Sequence, residues 1–254
     1  MLRVPRFAGR LLAQFLSKQR PSARTGTPTD PVKLLKCLQP CDVLLVEGCS
    51  RVATVTKYLT QSTWSHAALY VGPALGGCDA AGEPYLFIEA DLVHGVCKQP
   101  LSRYRDFHTR ICRARNLGEE DKARMLDEVM GKIGNQYDLK NLIDLARYLF
   151  PLPPVPARWR RKMIAFGSGD PTKAICSSLI AEAFQNVGYP ILPIVRHDRI
   201  SNAADQDAVE EIYEIRHQSL YAPRDFDVSP YFDVIKPTLE LGFDYRNIHW
   251  RGRG

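Results

Sequence analysis

The chain has 254 residues, 45% of them hydrophobic, enough to bury one good core with an appended arm. Its formal charge of +6 is concentrated at one end. Six basic residues (Arg3, Arg6, Arg10, Lys18, Arg20, Arg24) and no acidic one precede Asp30, and the remaining 28 basic and 28 acidic residues cancel. The balance argues for a basic arm and against a nucleic-acid-binding body.

Seven cysteines, at 37, 41, 49, 78, 97, 112 and 176, form no CxxC pair. An odd, scattered set is not a disulfide framework and points to a reducing, cytoplasmic setting. Cys37 and Cys41 lack the second ligand pair that a zinc site needs, so no metal is expected. No run of 18 apolar residues is present to span a membrane as a helix.

Residues 1–20 place Val4, Phe7, Ala8, Leu11, Leu12, Phe15 and Leu16 on one side of a helix, with basic residues largely on the other. Three readings stay open: a helix lying on an anionic membrane surface, an acid-free organellar transit peptide, and an ordinary helix packing on the domain. Residues 21–31 read as a linker. The spacing then predicts a buried strand at 42–48, a short helix at 52–60, and a strand through Ser65 and His66 to Gly72. A Gly-rich connection spans 73–84. In the strand 85–92, period-two alternation puts Leu86, Ile88, Ala90 and Leu92 toward the core. Glu89 falls on the other face with Tyr85 and Phe87, where its carboxylate need not be buried.

Two further strands are expected at 95–98 and 109–114, then a helix at about 119–133 with Leu126, Val129, Met130 and Ile133 as its stripe. Asp138 can cap another helix carrying Leu139, Leu142, Ile143, Ala146 and Phe150. Four prolines within 151–156 forbid regular structure, and a basic cluster, Arg158-Trp159-Arg160-Arg161-Lys162, follows. This insert, 151–171, either lines the approach to Cys176 or is a solvated loop. Ile175, Leu179, Ile180, Ala183, Phe184 and Val187 then recur at helical spacing, with Gly188 as the stop. Short strands and loops fill 189–235, and a basic, aromatic tail closes the chain. The domain is expected over 31–237, with arm and linker at 1–30 and tail at 238–254.

Cys176 falls in the first turn of its helix, where unpaired N–H groups and the helix dipole favour a thiolate. Alone it reads as a small buried hydrophobe. A helix-start cysteine together with a strand histidine far away in sequence is the usual make-up of a thiol nucleophile and its base. The other histidines (His94, His108, His197, His217, His249) lie in no such pattern and read as surface or structural.

The set D-V-L-L-V at 42–46, S-H-A-A-L-Y-V-G at 65–72, F-I-E-A at 87–90, G-x-x-Y-D at 134–138 and I-C-S-S-L-I-A-E-A-F at 175–184 resembles the YiiX-like family of circularly permuted papain-fold amidases, relatives of the NlpC-type cell-wall peptidases. The likeness covers roughly 38–235. The histidine-before-cysteine order fits the permuted members. Cys41 departs from the glycine the family tends to have there. The resemblance implies an α+β fold in which a Cys-bearing helix packs on an antiparallel, barrel-like sheet. It implies Cys176 as nucleophile, His66 as base and Glu89 as the group orienting the imidazole, with Asp91 the competing carboxylate.

Tyr137 matches the Tyr-Asp motif and is a candidate hydrogen-bond donor near the thiol; its alternative is a helix-entry aromatic. Ser65 and Ser177 are candidates for oxyanion or substrate contacts. The chemistry implied is cysteine-dependent hydrolysis of small peptide or amino-acyl amides through a thioester, needing no cofactor. Two alternatives remain. One is lipid acyl transfer or phospholipid hydrolysis at a membrane, as in the lecithin:retinol acyltransferase relatives, whose Asn-Cys-Glu-type motif Ile175-Cys176-Ser177 does not match. The other is a non-catalytic binding module.

Overall fold

The computed structural model describes residues 14–15, 17–19, 26–91, 93–135, 175–199, 209–244 and 246. They form an α+β arrangement: helix α1 (Pro31–Cys37), β1 (Val43–Val46), α2 (Arg51–Thr60), β2 (His66–Tyr70), β3 (Tyr85–Asp91), β4 (Gly95–Pro100), β5 (Thr109–Ala114), α3 (Glu119–Gly131), α4 (Ile175–Asn186), β6 (Ile194–Arg199), β7 (Val209–Glu214), α5 (Pro223–Val228), β8 (Phe232–Ile235) and α6 (Pro237–Glu240). Six strands make one antiparallel sheet in the order β4-β3-β2-β1-β5-β8, and β6 and β7 pair as a separate ribbon. Among the described residues no helix is long and apolar enough to cross a membrane.

The sheet is covered on both faces, which is why β1 (Val43-Leu44-Leu45-Val46) is an unbroken apolar run. One face carries Val43, Leu45, Ala67, Leu69, Ile88 and Ala90 against α3 and α4. The other carries Leu44, Val46, Ala68, Tyr70, Phe87 and Ile111 against Leu34 and Leu38, Tyr104 and Phe107. Helix α4 packs across β2 and β3 through fully buried Leu179, Ile180, Ala183 and Phe184, the stripe its spacing predicts. Phe184 is held in turn by Tyr189, Phe226 and Phe232 at ring distances of 5.2–6.3 Å. In α3 the expected stripe packs on the core, with Val129 fully buried and Leu126, Met130 and Ile133 half-buried, and Met125 joins it as a second fully buried residue.

Three expectations are corrected. Alternation along β3 breaks at a register shift between Tyr85 and Phe87, so Tyr85 packs with the α4 face while Leu86 joins Phe87 on the other. Residues 31–37, before the first expected strand, form α1. There Asp30 caps the backbone N–H of Val32 and of Lys33 and Pro31 stands at the helix start. Cys41 has φ = +70°, the left-handed conformation that glycine adopts without cost, and its N–H donates to the Tyr70 carbonyl. The turn before Asp42 thus keeps the shape a glycine would give it, and Arg113 forks onto the Asp42 carboxylate at 2.7 and 2.8 Å.

The stretch read as linker is fastened to the domain at several described points. Gly26 N–H donates to buried Glu47, and Thr29 exchanges hydrogen bonds with Thr109. The end of the arm before it also touches the domain: Cys49 donates to the Gln19 side chain, and the Arg51 guanidinium covers the Phe15 ring at 4.1 Å. A Cβ at Gly26 would lie 2.6 Å from the His108 ring, so the close approach of this segment requires glycine.

Candidate active site

His66 opens β2, and its neighbours pin the backbone there. The Ser62 hydroxyl accepts from Trp64 N–H, and the Trp64 indole donates to Asp227. Ser65 N–H donates to the Val46 carbonyl, and the Ser65 hydroxyl accepts from Gly48 N–H at 2.9 Å. In the β2–β3 ladder Ala68 faces Glu89, so Glu89 stands diagonally across from His66, within reach of a long side chain. His66 Nε2 lies 2.6 Å from Glu89 Oε2, and the Tyr104 hydroxyl donates to that same oxygen at 2.8 Å. Arg103 Nε stands 3.8 Å from the second oxygen, Oε1.

Glu89 is on the Phe87 face, as its position in the strand predicts, but that face is not solvated. Phe107, α1 and the turn 101–104 cover it, and Glu89 is 1% exposed. Burial by itself would push the carboxyl up. The His66 imidazolium, its hydrogen bond, Arg103 and the Tyr104 hydroxyl outweigh that and hold Glu89 at about 2. The histidine is the mirror case. Burial favours neutral imidazole, yet the Glu89 carboxylate and the neighbouring Cys176 side chain hold its pKa well above 6.5.

Cys176 is the second residue of α4 and is 7% exposed. Its side chain interacts with the His66 ring, whose Nε2 is taken by Glu89. The other described cysteines have different surroundings. Cys41 donates to the Lys122 carbonyl and Cys97 accepts from the Gln99 side chain. Burial pushes their thiols up to about 12 and about 11, and it raises Cys112 as well. A thiol and a carboxylate flanking one imidazole is an arrangement that can activate the sulfur as a nucleophile.

The structure thus brings Cys176, His66 and Glu89 together. The other candidates have different fates. Asp91 turns away: its Oδ1 accepts from Val93 N–H, His94 N–H and the His94 ring, capping the β3–β4 turn. Ser65 is spent on the β1–β2 junction. Ser177 is fully buried, and its hydroxyl donates to the Tyr221 carbonyl at 2.5 Å, tying the start of α4 to the C-terminal segment. Tyr137, the helix expected from Asp138, and the 151–171 insert lie outside the described residues. His108 stacks on Trp64 at 5.3 Å, a structural role. Tyr104 and Arg103 carry no motif in the sequence; only the fold of the 101–104 turn under Glu89 brings them in. Among the described residues no group of three or more His, Cys, Asp or Glu side chains is placed to hold a metal ion.

No protein-family model matches this chain, and no curated protein matches it. Among solved structures it is similar to the crystal structure of the metalloprotein yiiX from Escherichia coli O157:H7, described as DUF1105. The two are 15% identical with a TM-score of 0.44, over 78% of this chain and 96% of that one.

The pair has a pH signature. Glu89 is lowered in the fold, from 4.5 to about 2, so its stabilisation is complete above the unfolded value and is lost as pH falls toward 2. His66 is raised, so its stabilisation is present below 6.5 and is lost as pH rises through the higher folded value. In urea denaturation, the stability lost between pH 6 and pH 2.5 should therefore be smaller in Glu89→Gln than in wild type by roughly 2 kcal/mol. Equal losses in the two proteins would contradict the ion pair.

Proposed function

We propose that the chain is a cysteine-dependent amidase or peptidase, with Cys176 as nucleophile, His66 as base and then acid, and Glu89 as the orienting carboxylate. The observation that carries this reading is the imidazole held between the Cys176 thiol and the Glu89 carboxylate. It is also supported by the sequence likeness to the YiiX-like permuted papain-fold amidases, and we read the α+β arrangement, histidine strand before cysteine helix, as that fold.

In this reaction the Cys176 thiolate attacks the carbonyl carbon of a small peptide or amino-acyl amide. A C–S bond forms and the carbonyl electrons move to oxygen. Backbone N–H groups in the first turn of a helix have no helical acceptor of their own, and at α4 they would receive the oxyanion. The oxyanion collapses, the C–N bond breaks, and the His66 imidazolium gives its proton to the departing amine. Water, giving a proton to His66, then attacks the thioester; the C–S bond breaks, the acid leaves, and the thiolate–imidazolium pair is restored. Glu89 stays ionised throughout, fixing the tautomer and ring plane.

The test is turnover of a panel of dipeptide and amino-acyl amides, with acyl-enzyme trapped by mass spectrometry. An amide substrate should acylate Cys176, and Cys176→Ala and His66→Ala should each lower kcat/KM by at least about a thousandfold. Turnover of phospholipid esters with no amide hydrolysed would replace this reading with the lipid one. Inertness toward both classes in the folded protein would favour a binding module.

We further propose that the protein sits in the cytoplasm and associates peripherally with anionic membranes through residues 1–20, whose basic and apolar residues separate at helical spacing. Co-sedimentation with phosphatidylserine vesicles should fall at least about tenfold when Arg3, Arg6 and Arg10 become Gln, since each basic residue at such a surface contributes about 1 kcal/mol. Unchanged binding would remove this role.

A further inference from the structure

We propose that Tyr104 is a positioning residue that, through Glu89, sets the pH range over which Cys176 and His66 stand as an ion pair; this rests on the reading of those three residues as the reactive site. Glu89 Oε2 accepts two hydrogen bonds, from His66 at 2.6 Å and from the Tyr104 hydroxyl at 2.8 Å, while Oε1 is buried with no hydrogen-bond partner. The oxygen facing the imidazole is therefore also the one Tyr104 grips, and what Tyr104 does to that oxygen is passed directly to His66.

The ring alone has a packing role, edge-on to Phe87 at 4.9 Å on the covered face of the sheet. Phenylalanine would serve that role equally. The hydroxyl is a different matter. A buried hydroxyl donating to a carboxylate stabilises the charged form, and such charge-assisted bonds are among the stronger ones in proteins. Tyr104 cannot exchange roles with its partner, because burial and the Glu89 charge push its own ionisation well above 10 and keep it a donor.

The remaining groups around Glu89 do not substitute for it. Arg103, on the same turn, stands off Oε1 at 3.8 Å with 43% of its side chain exposed, so solvent screens it. Cys97, opposite Glu89 on β4, is pushed up to about 11 and stays neutral. Asp91 on β3 is engaged with the 93–94 turn, and Cys176 on α4 acts on the imidazole.

The test is the His66 ring titration, followed by NMR with imidazole-labelled histidine, in wild type and in Tyr104→Phe. Loss of the hydroxyl removes a competing donor from Glu89 Oε2 and leaves that oxygen's charge to the imidazolium alone. The His66 pKa is expected to rise by roughly one unit, with the melting cooperativity of the fold retained. Monofluorotyrosine placed at position 104, a stronger donor of nearly equal size, should move the same titration the opposite way, and it tests the inference even where Tyr104→Phe folds poorly. A raised His66 pKa in wild type that neither replacement moves would overturn the positioning role alone. An ordinary His66 titration in wild type would overturn the underlying site reading.

Discussion

The site depends on one buried contact, the 2.6 Å approach of His66 Nε2 to the Glu89 carboxylate. A carboxylate that is 1% exposed is costly to keep ionised, and it stays ionised because an imidazolium, a tyrosine hydroxyl and a guanidinium surround it. The imidazolium is likewise costly to bury and is kept charged by the carboxylate and the neighbouring Cys176 side chain. Removing any one member leaves an uncompensated charge for the rest. The pair is therefore as much a condition of the local fold as of the chemistry proposed for it.

The architecture serves that contact. A six-stranded antiparallel sheet covered on both faces puts the β2–β3 ladder in its interior, where Glu89 is shielded. Helix α4 crosses the same two strands with an apolar stripe, and its second residue is the cysteine. Phe184, packed among Tyr189, Phe226 and Phe232, fixes how far along the sheet the helix lies and so how near Cys176 comes to His66. Ser177 adds a polar tie at the helix start, through the Tyr221 carbonyl.

Much of this is legible in the sequence, for identifiable reasons. The strand 109–114 and the stripe of α4 follow from residue spacing, because their apolar periodicity is undisturbed. Cys176 and His66 are legible as a helix-start thiol and a strand histidine, whereas Glu89 is singled out by the family resemblance, since strand parity puts Asp91 on the same face. What is not legible depends on tertiary packing. The register shift between Tyr85 and Phe87 moves Leu86 to the opposite face, and nothing in the residue types announces it. Glu89 reads as solvent-facing because one strand cannot reveal that Phe107, α1 and the 101–104 turn cover its face. Tyr104 and Arg103 fall in a turn without a motif, and only the folded chain brings them under the carboxylate. The linker reads as free because its ties, Gly26 to Glu47 and Thr29 to Thr109, are long-range.

The most direct test of the central claim is the rate at which iodoacetamide labels each of the seven cysteines as a function of pH, read by peptide mass spectrometry in wild type and in His66→Ala. A thiolate stabilised by imidazolium should make Cys176 react well below the pH of an ordinary thiol near ~8.5, and His66→Ala should erase that advantage. If Cys176 in the folded wild type labels no earlier than the other cysteines, or if His66→Ala leaves its profile unchanged, the thiol is not activated by the histidine and the account fails.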